Sequence, residues 1–90
     1  MEDKLLYRIH ISGWVQGVGF RWRTALEANR LGIKGYVRNL RDGRVYIEAE
    51  GSREQLDLFA GWCKNGPGVV KDVNVETFTP VGYTEFRIEH

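Results

Sequence analysis

The feature that most constrains this chain is a repeated change in the period of its apolar residues. Tyr7, Ile9 and Ile11 alternate with Arg8, His10 and Ser12, the period of two that belongs to a half-buried strand. From Arg21 to Leu31 the period becomes helical. Thr24, Ala25, Ala28 and Leu31 share one face of a 3.6-residue wheel, Phe20 lies just before it, and Gly32 stands where a left-handed helix terminator belongs. Strand character returns over Lys34–Leu40 and Arg44–Glu50. Asp42-Gly43 between them is a strong hairpin signal, predicting a turn with positive φ at both central residues. In the second of these strands Val45, Ile47 and Ala49 point one way; Tyr46, Glu48 and Glu50 point the other, which places the two glutamates in solvent. Ser52 and Gln55 form a capping box ahead of Leu56, Phe59, Ala60 and Cys63, an amphipathic helix closed by Asn65-Gly66-Pro67-Gly68. Val73, Val75 and Thr77 alternate as a fourth strand, Pro80 to Gly82 turn the chain, and Phe86 and Ile88 make a short fifth.

The order β-α-β-β-α-β plus a terminal strand predicts an α+β class, ferredoxin-like split β-α-β sandwich: an antiparallel sheet with two helices on one face. Ninety residues suit one domain, 1–90, with a modest core. A net charge of +1 argues against non-specific nucleic-acid binding and against a polybasic membrane anchor. No stretch approaches the roughly 18 apolar residues of a membrane span. The lone Cys63 cannot form an internal disulfide, so the cytoplasm is the expected compartment. Nothing in the chain demands more than a monomer.

In a split β-α-β unit the first and second strands run the same way with the third between them. Their C-terminal ends emerge at one edge of the sheet. The loop after Gly13, the start of the first helix and the end of the second strand near Asn39 are therefore expected to be neighbours. The segment Gly13-Trp14-Val15-Gln16-Gly17-Val18-Gly19-Phe20-Arg21 joins that strand to that helix. Glycines let successive backbone N–H groups curl toward one point, and a helix start adds unpaired donors and the positive dipole end. Together they make an anion pocket, beside which Arg21 brings a planar, permanently charged fork. Spacing alone serves a second reading equally: a tight strand-to-helix turn with Arg21 in solvent. Asn39 likewise reads either as turn chemistry or as a site residue.

Other candidates point to structure. His10, His90 and Cys63 contain no close pair with metal-ligand spacing. Cys63 completes an apolar stripe. Trp14, Trp22, Trp62, Tyr36 and Tyr46 read as core and rim residues, with no basic aromatic run of the kind that binds RNA.

Two motifs carry a resemblance across essentially the whole chain. The first is Ile11-x-Gly13-x-Val15-Gln16-Gly17-Val18-Gly19-Phe20-Arg21. The second is Gly35-Tyr36-Val37-Arg38-Asn39, followed by Asp42-Gly43, Val45 and Gly51, with Ala28-x-x-Leu31-Gly32 between them and Gly66-Pro67 beyond. These resemble the acylphosphatase family, with Trp14 standing where the family often carries Arg and Glu89-His90 as an uncommon ending. The resemblance implies a small ferredoxin-like enzyme that hydrolyses an acyl phosphate to a carboxylate and inorganic phosphate, with neither metal nor other cofactor. It implies that Arg21 binds the phosphoryl group together with the backbone amides of Gln16, Gly17, Val18, Gly19 and Phe20, and that Asn39 holds the attacking water. The competing expectation is a non-catalytic module for phosphate or carbamoyl phosphate. A related domain opens the much longer hydrogenase-maturation proteins; a chain ending at His90 is expected to be the stand-alone enzyme.

Overall fold

The computed structural model describes residues 3–90. The elements follow as β1 (Lys4–Trp14), α1 (Phe20–Arg30), β2 (Lys34–Asn39), β3 (Val45–Ser52), α2 (Arg53–Lys64), β4 (Val69–Phe78) and β5 (Phe86–Glu89). The strands form one sheet in the order β4-β1-β3-β2-β5. Helix α1 packs against β2 and β5, and α2 against β4, β3 and β1. Residues of one parity make the core beneath the helices. Ile9 pairs with Ile47 and Ile11 with Val45 across β1–β3, while Val37 faces Ile47 across β2–β3. These side chains join Phe20, Ala28, Leu56, Phe59 and Cys63 in one buried cluster. The capping box is formed as the sequence indicates: Ser52 Oγ accepts from the Gln55 N–H, and Gln55 Oε1 accepts from the Ser52 N–H.

The sheet is mixed rather than wholly antiparallel, because β5 adds to the free edge of β2 in parallel. Strands β4 and β5 lie at opposite edges, so the connection 79–85 must cross the sheet. It does so over the face that carries no helices.

That crossing corrects the expectation for Glu48 and Glu50, which are 8% and 4% exposed. Alternation identifies their face correctly, but the crossing segment covers it. The Glu50 carboxylate accepts hydrogen bonds from the backbone N–H groups of Val81, Gly82 and Tyr83. Glu48 accepts from the Tyr46 hydroxyl at 2.6 Å and the Tyr83 hydroxyl at 2.5 Å, with Arg8 Nε 3.5 Å away. Burial opposes the Glu48 charge, but the two hydroxyls and Arg8 outweigh it and hold the carboxyl below the ordinary 4.5. A carboxyl whose folded value lies below its unfolded one stabilises the fold above the unfolded value and loses that contribution as pH falls through the folded value. Acid unfolding of Glu48→Gln, followed by circular dichroism, is therefore expected to show a shallower fall in stability below about pH 4.5 than the parent. An identical acid limb in the two proteins would remove Glu48 from the account.

The β2–β3 hairpin also differs from the sequence expectation. In this turn only Gly43 has positive φ (95°); among the described residues no residue other than glycine does, so Asp42 stays on the ordinary side. The Gly43 N–H bonds to Leu40 O at 3.2 Å and the Leu40 N–H to Arg44 O at 2.8 Å, a longer loop ending in one left-handed glycine. The Asp42 side chain accepts from the Arg44 N–H at 3.1 Å and stiffens the turn.

Candidate active site

Strands β1 and β2 both run antiparallel to β3 and so parallel to each other. Parallel pairing gives β5 the same direction. The C-terminal ends of these strands therefore meet at one edge, where the loop after β1 turns into α1. An open hollow of about 310 Å³ lies there, lined by Val15, Gly17, Gly19, Phe20, Arg21, Trp22, Asn39, Ile88 and His90.

The helix start is bare. Gly19 caps α1 at φ 78°, a left-handed conformation that costs a glycine little. It brings no side chain to cap the first turn, and that turn contains no acidic residue. The donors at the start of the helix are thus left without a side-chain cap, and no acidic side chain in its first turn offsets the dipole.

Arg21 is the second residue of α1. Its Nη1 donates to Glu89 O at 3.0 Å and lies 3.3 Å from His90 Nδ1. The end of β5 thus holds one arm of the guanidinium. The remaining donors are free of hydrogen-bond partners among the described residues and can form the two-pronged contact that a phosphoryl group accepts.

Asn39 is the last residue of β2 and pairs with Val45. It shares the parity of Val37, so its side chain is directed to the helix side of the sheet, where the strand runs out beside the α1 start. Its Oδ1 is buried and has no hydrogen-bond partner among the described residues. A buried amide oxygen without a partner costs about 1–3 kcal/mol.

The loop is tied to this strand end by Gln16. Its Nε2 donates to Leu40 O at 2.7 Å and to Arg44 O at 2.9 Å, both in the hairpin that follows Asn39. The Gln16 side chain therefore faces the hairpin, and neither Gln16 nor Val18 lines the hollow, in contrast to Gly17, Gly19 and Phe20.

The sequence motifs thus lead to Arg21 and Asn39 on one hollow. They leave out Trp22, Ile88, Glu89 and His90. Ile88 was legible as a strand residue, but its place at the site depends on β5 joining β2 in parallel. Trp22 follows Arg21 directly, and its 61% exposure is the feature that separates it from the core aromatics.

The remaining candidates lie elsewhere. His10 packs against Tyr46 with the rings tilted and their centroids 4.8 Å apart, on the face away from the helices. Cys63 is fully buried; burial, with Glu27 adding to it, pushes its thiol up to about 12, beyond nucleophilic use. Among the described residues no three His, Cys, Asp or Glu side chains gather as a metal site requires, and no helix is long and apolar enough to cross a membrane.

Comparison with known proteins places this geometry in context. The family model described as Acylphosphatase matches residues 7–88. The acylphosphatase of Thermotoga maritima is 47% identical over 85 residues, covering 92% of this chain and 94% of that protein. Among solved structures, an acylphosphatase from Bacillus subtilis superimposes with a TM-score of 0.94 at 40% identity, over 96% of this chain and 99% of the other. One from Coxiella burnetii gives 0.93 at 32% identity, over 97% and 94%.

Proposed function

Since the chain belongs to the acylphosphatase family, we propose that it hydrolyses acyl phosphates to a carboxylate and inorganic phosphate by direct in-line attack of water, without a metal ion. The observation that carries the proposal is that Asn39, at the end of β2, and Arg21, at the start of α1, line one hollow. A water in that hollow can donate a hydrogen bond to the Asn39 carboxamide oxygen.

The substrate's phosphoryl oxygens sit against the α1 start, receiving hydrogen bonds from the loop amides between Gln16 and Phe20 and from the free arms of Arg21. The loose transition state spreads charge over those oxygens, and donors already oriented by the fold meet it without reorganising. Asn39 cannot act as a base, because a carboxamide does not titrate near neutrality. Its Oδ1 accepts one hydrogen of the water and thereby aims an oxygen lone pair at phosphorus. The new P–O bond forms as the bond between phosphorus and the acyl oxygen breaks. The water's proton passes to a phosphoryl oxygen of the substrate, and the bonding pair leaves with the carboxylate.

A carboxylate has a conjugate acid of pKa about 4 and departs unprotonated, whereas a phenolate has one of about 10 and needs help. This accounts for a hollow lined by no Asp or Glu side chain, and it sets the test. The protein is expected to turn over benzoyl phosphate at full rate in excess EDTA and to leave phenyl phosphate nearly untouched. Loss of activity in chelator, restored by a divalent cation, refutes the metal-free reading. Comparable rates on the two substrates refute the unassisted leaving group. Phosphate binding without turnover of either substrate turns the reading to a binding module.

A further inference from the structure

In-line geometry has a consequence for the acyl half of the substrate. Water held by Asn39 attacks on one side of phosphorus, so the acyl oxygen must leave on the other. The acyl group therefore points away from the buried end of the hollow and meets its rim. Of the apolar side chains lining that hollow, Val15 is wholly buried and Phe20 is 2% exposed, so neither has surface to offer. Ile88 is half-buried. Trp22, at 61% exposed, is the large one with a face in solvent.

An indole left in water beside a charged pocket is not explained by packing. The core already contains its aromatic contacts: Phe20 lies 5.9 Å from Trp62, and Phe59 stacks on Trp62 at 6.3 Å. Trp14, at 76% exposed, does not line the hollow and serves no such role there. Arg21 and Trp22 line the same hollow, so a group whose phosphoryl end is bound at Arg21 brings its other end within reach of the indole.

Resting on the acyl-phosphate reading above, we propose that Trp22 is a specificity-determining residue, and that it selects acyl phosphates with an aromatic or broad apolar acyl group. Contact between an aromatic acyl group and the indole removes both from water. The phosphoryl contacts are common to all acyl phosphates and give no such preference. The gain arises from binding, so it reports mainly in KM.

The test compares benzoyl phosphate with acetyl phosphate in the parent, Trp22→Ala and Trp22→Phe. The parent is expected to favour benzoyl phosphate in kcat/KM. Trp22→Ala is expected to lower the benzoyl-to-acetyl ratio by about tenfold, the size of a lost aromatic contact together with its buried area. The change should be carried by the KM for benzoyl phosphate, and Trp22→Phe should restore most of the ratio. A ratio that does not move in Trp22→Ala overturns the proposal. So does an equal loss on both substrates, which assigns Trp22 to holding the α1 start in place. A parent that hydrolyses neither compound overturns the acyl-phosphate reading, and this one with it, while a parent active on both keeps the two questions separate.

Discussion

Asn39→Ala should lose turnover by a hundredfold or more while still binding inorganic phosphate, whereas Arg21→Gln should lose both. The difference follows from what each side chain can do. In the proposed mechanism Arg21 supplies charge and paired donors to the phosphoryl oxygens in the ground state and the transition state alike, and loss of such a group costs on the order of a thousandfold. Its removal should also raise the inhibition constant for phosphate by at least about tenfold, since a charge-assisted pair is lost. On the proposed mechanism Asn39 contacts only the water, so phosphate inhibition of Asn39→Ala should stay within about threefold of the parent.

Stability should move the other way. Asn39 Oδ1 has no hydrogen-bond partner among the described residues, so its removal deprives no donor of a partner. Asn39→Ala is therefore expected to unfold at the same temperature as the parent or slightly above it. Near-full activity of Asn39→Ala on benzoyl phosphate would end the water-positioning role. A large drop in its unfolding temperature would show that the residue supports the fold.

The second large effect concerns the opposite face of the sheet. Glu50→Ala is expected to destabilise the protein by roughly 3 kcal/mol, because the amides of Val81, Gly82 and Tyr83 lose their shared acceptor and the segment crossing the sheet loses its anchor. For a domain of this size that corresponds to a fall in Tm of about 15 °C. Glu50→Gln retains one carbonyl oxygen and should recover part of the loss. The effect should extend to the site, because 79–85 leads into β5, whose far end holds Arg21 through Glu89 O. A variant with a Tm within about 2 °C of the parent would show that these hydrogen bonds are replaced by water at no cost.

Much of this protein could be read from local pattern. The changes of apolar period locate the strands and helices to within a few residues. Ser52 and Gln55 mark the start of α2 because a capping box needs only residues three apart. The glycine loop, Arg21 and Asn39 could be brought to one edge on paper, because the order of elements in a split β-α-β unit leaves the first two strands parallel.

The alternation of β3 stated which side Glu48 and Glu50 face, but not what lies over that side. A period of two is a property of one strand, whereas burial depends on a segment some thirty residues away in the chain. For the same reason Asp42-Gly43 marked a hairpin without settling its turn, which the register between β2 and β3 decides. The parallel docking of β5, the grip of Glu89 O on Arg21, the unpartnered oxygen of Asn39 and the exposed indole of Trp22 all arise from contacts between residues distant in sequence. Local sequence determines which conformation each segment prefers and which side of it is apolar. Only the assembled fold determines which polar atoms find partners and which are left without them.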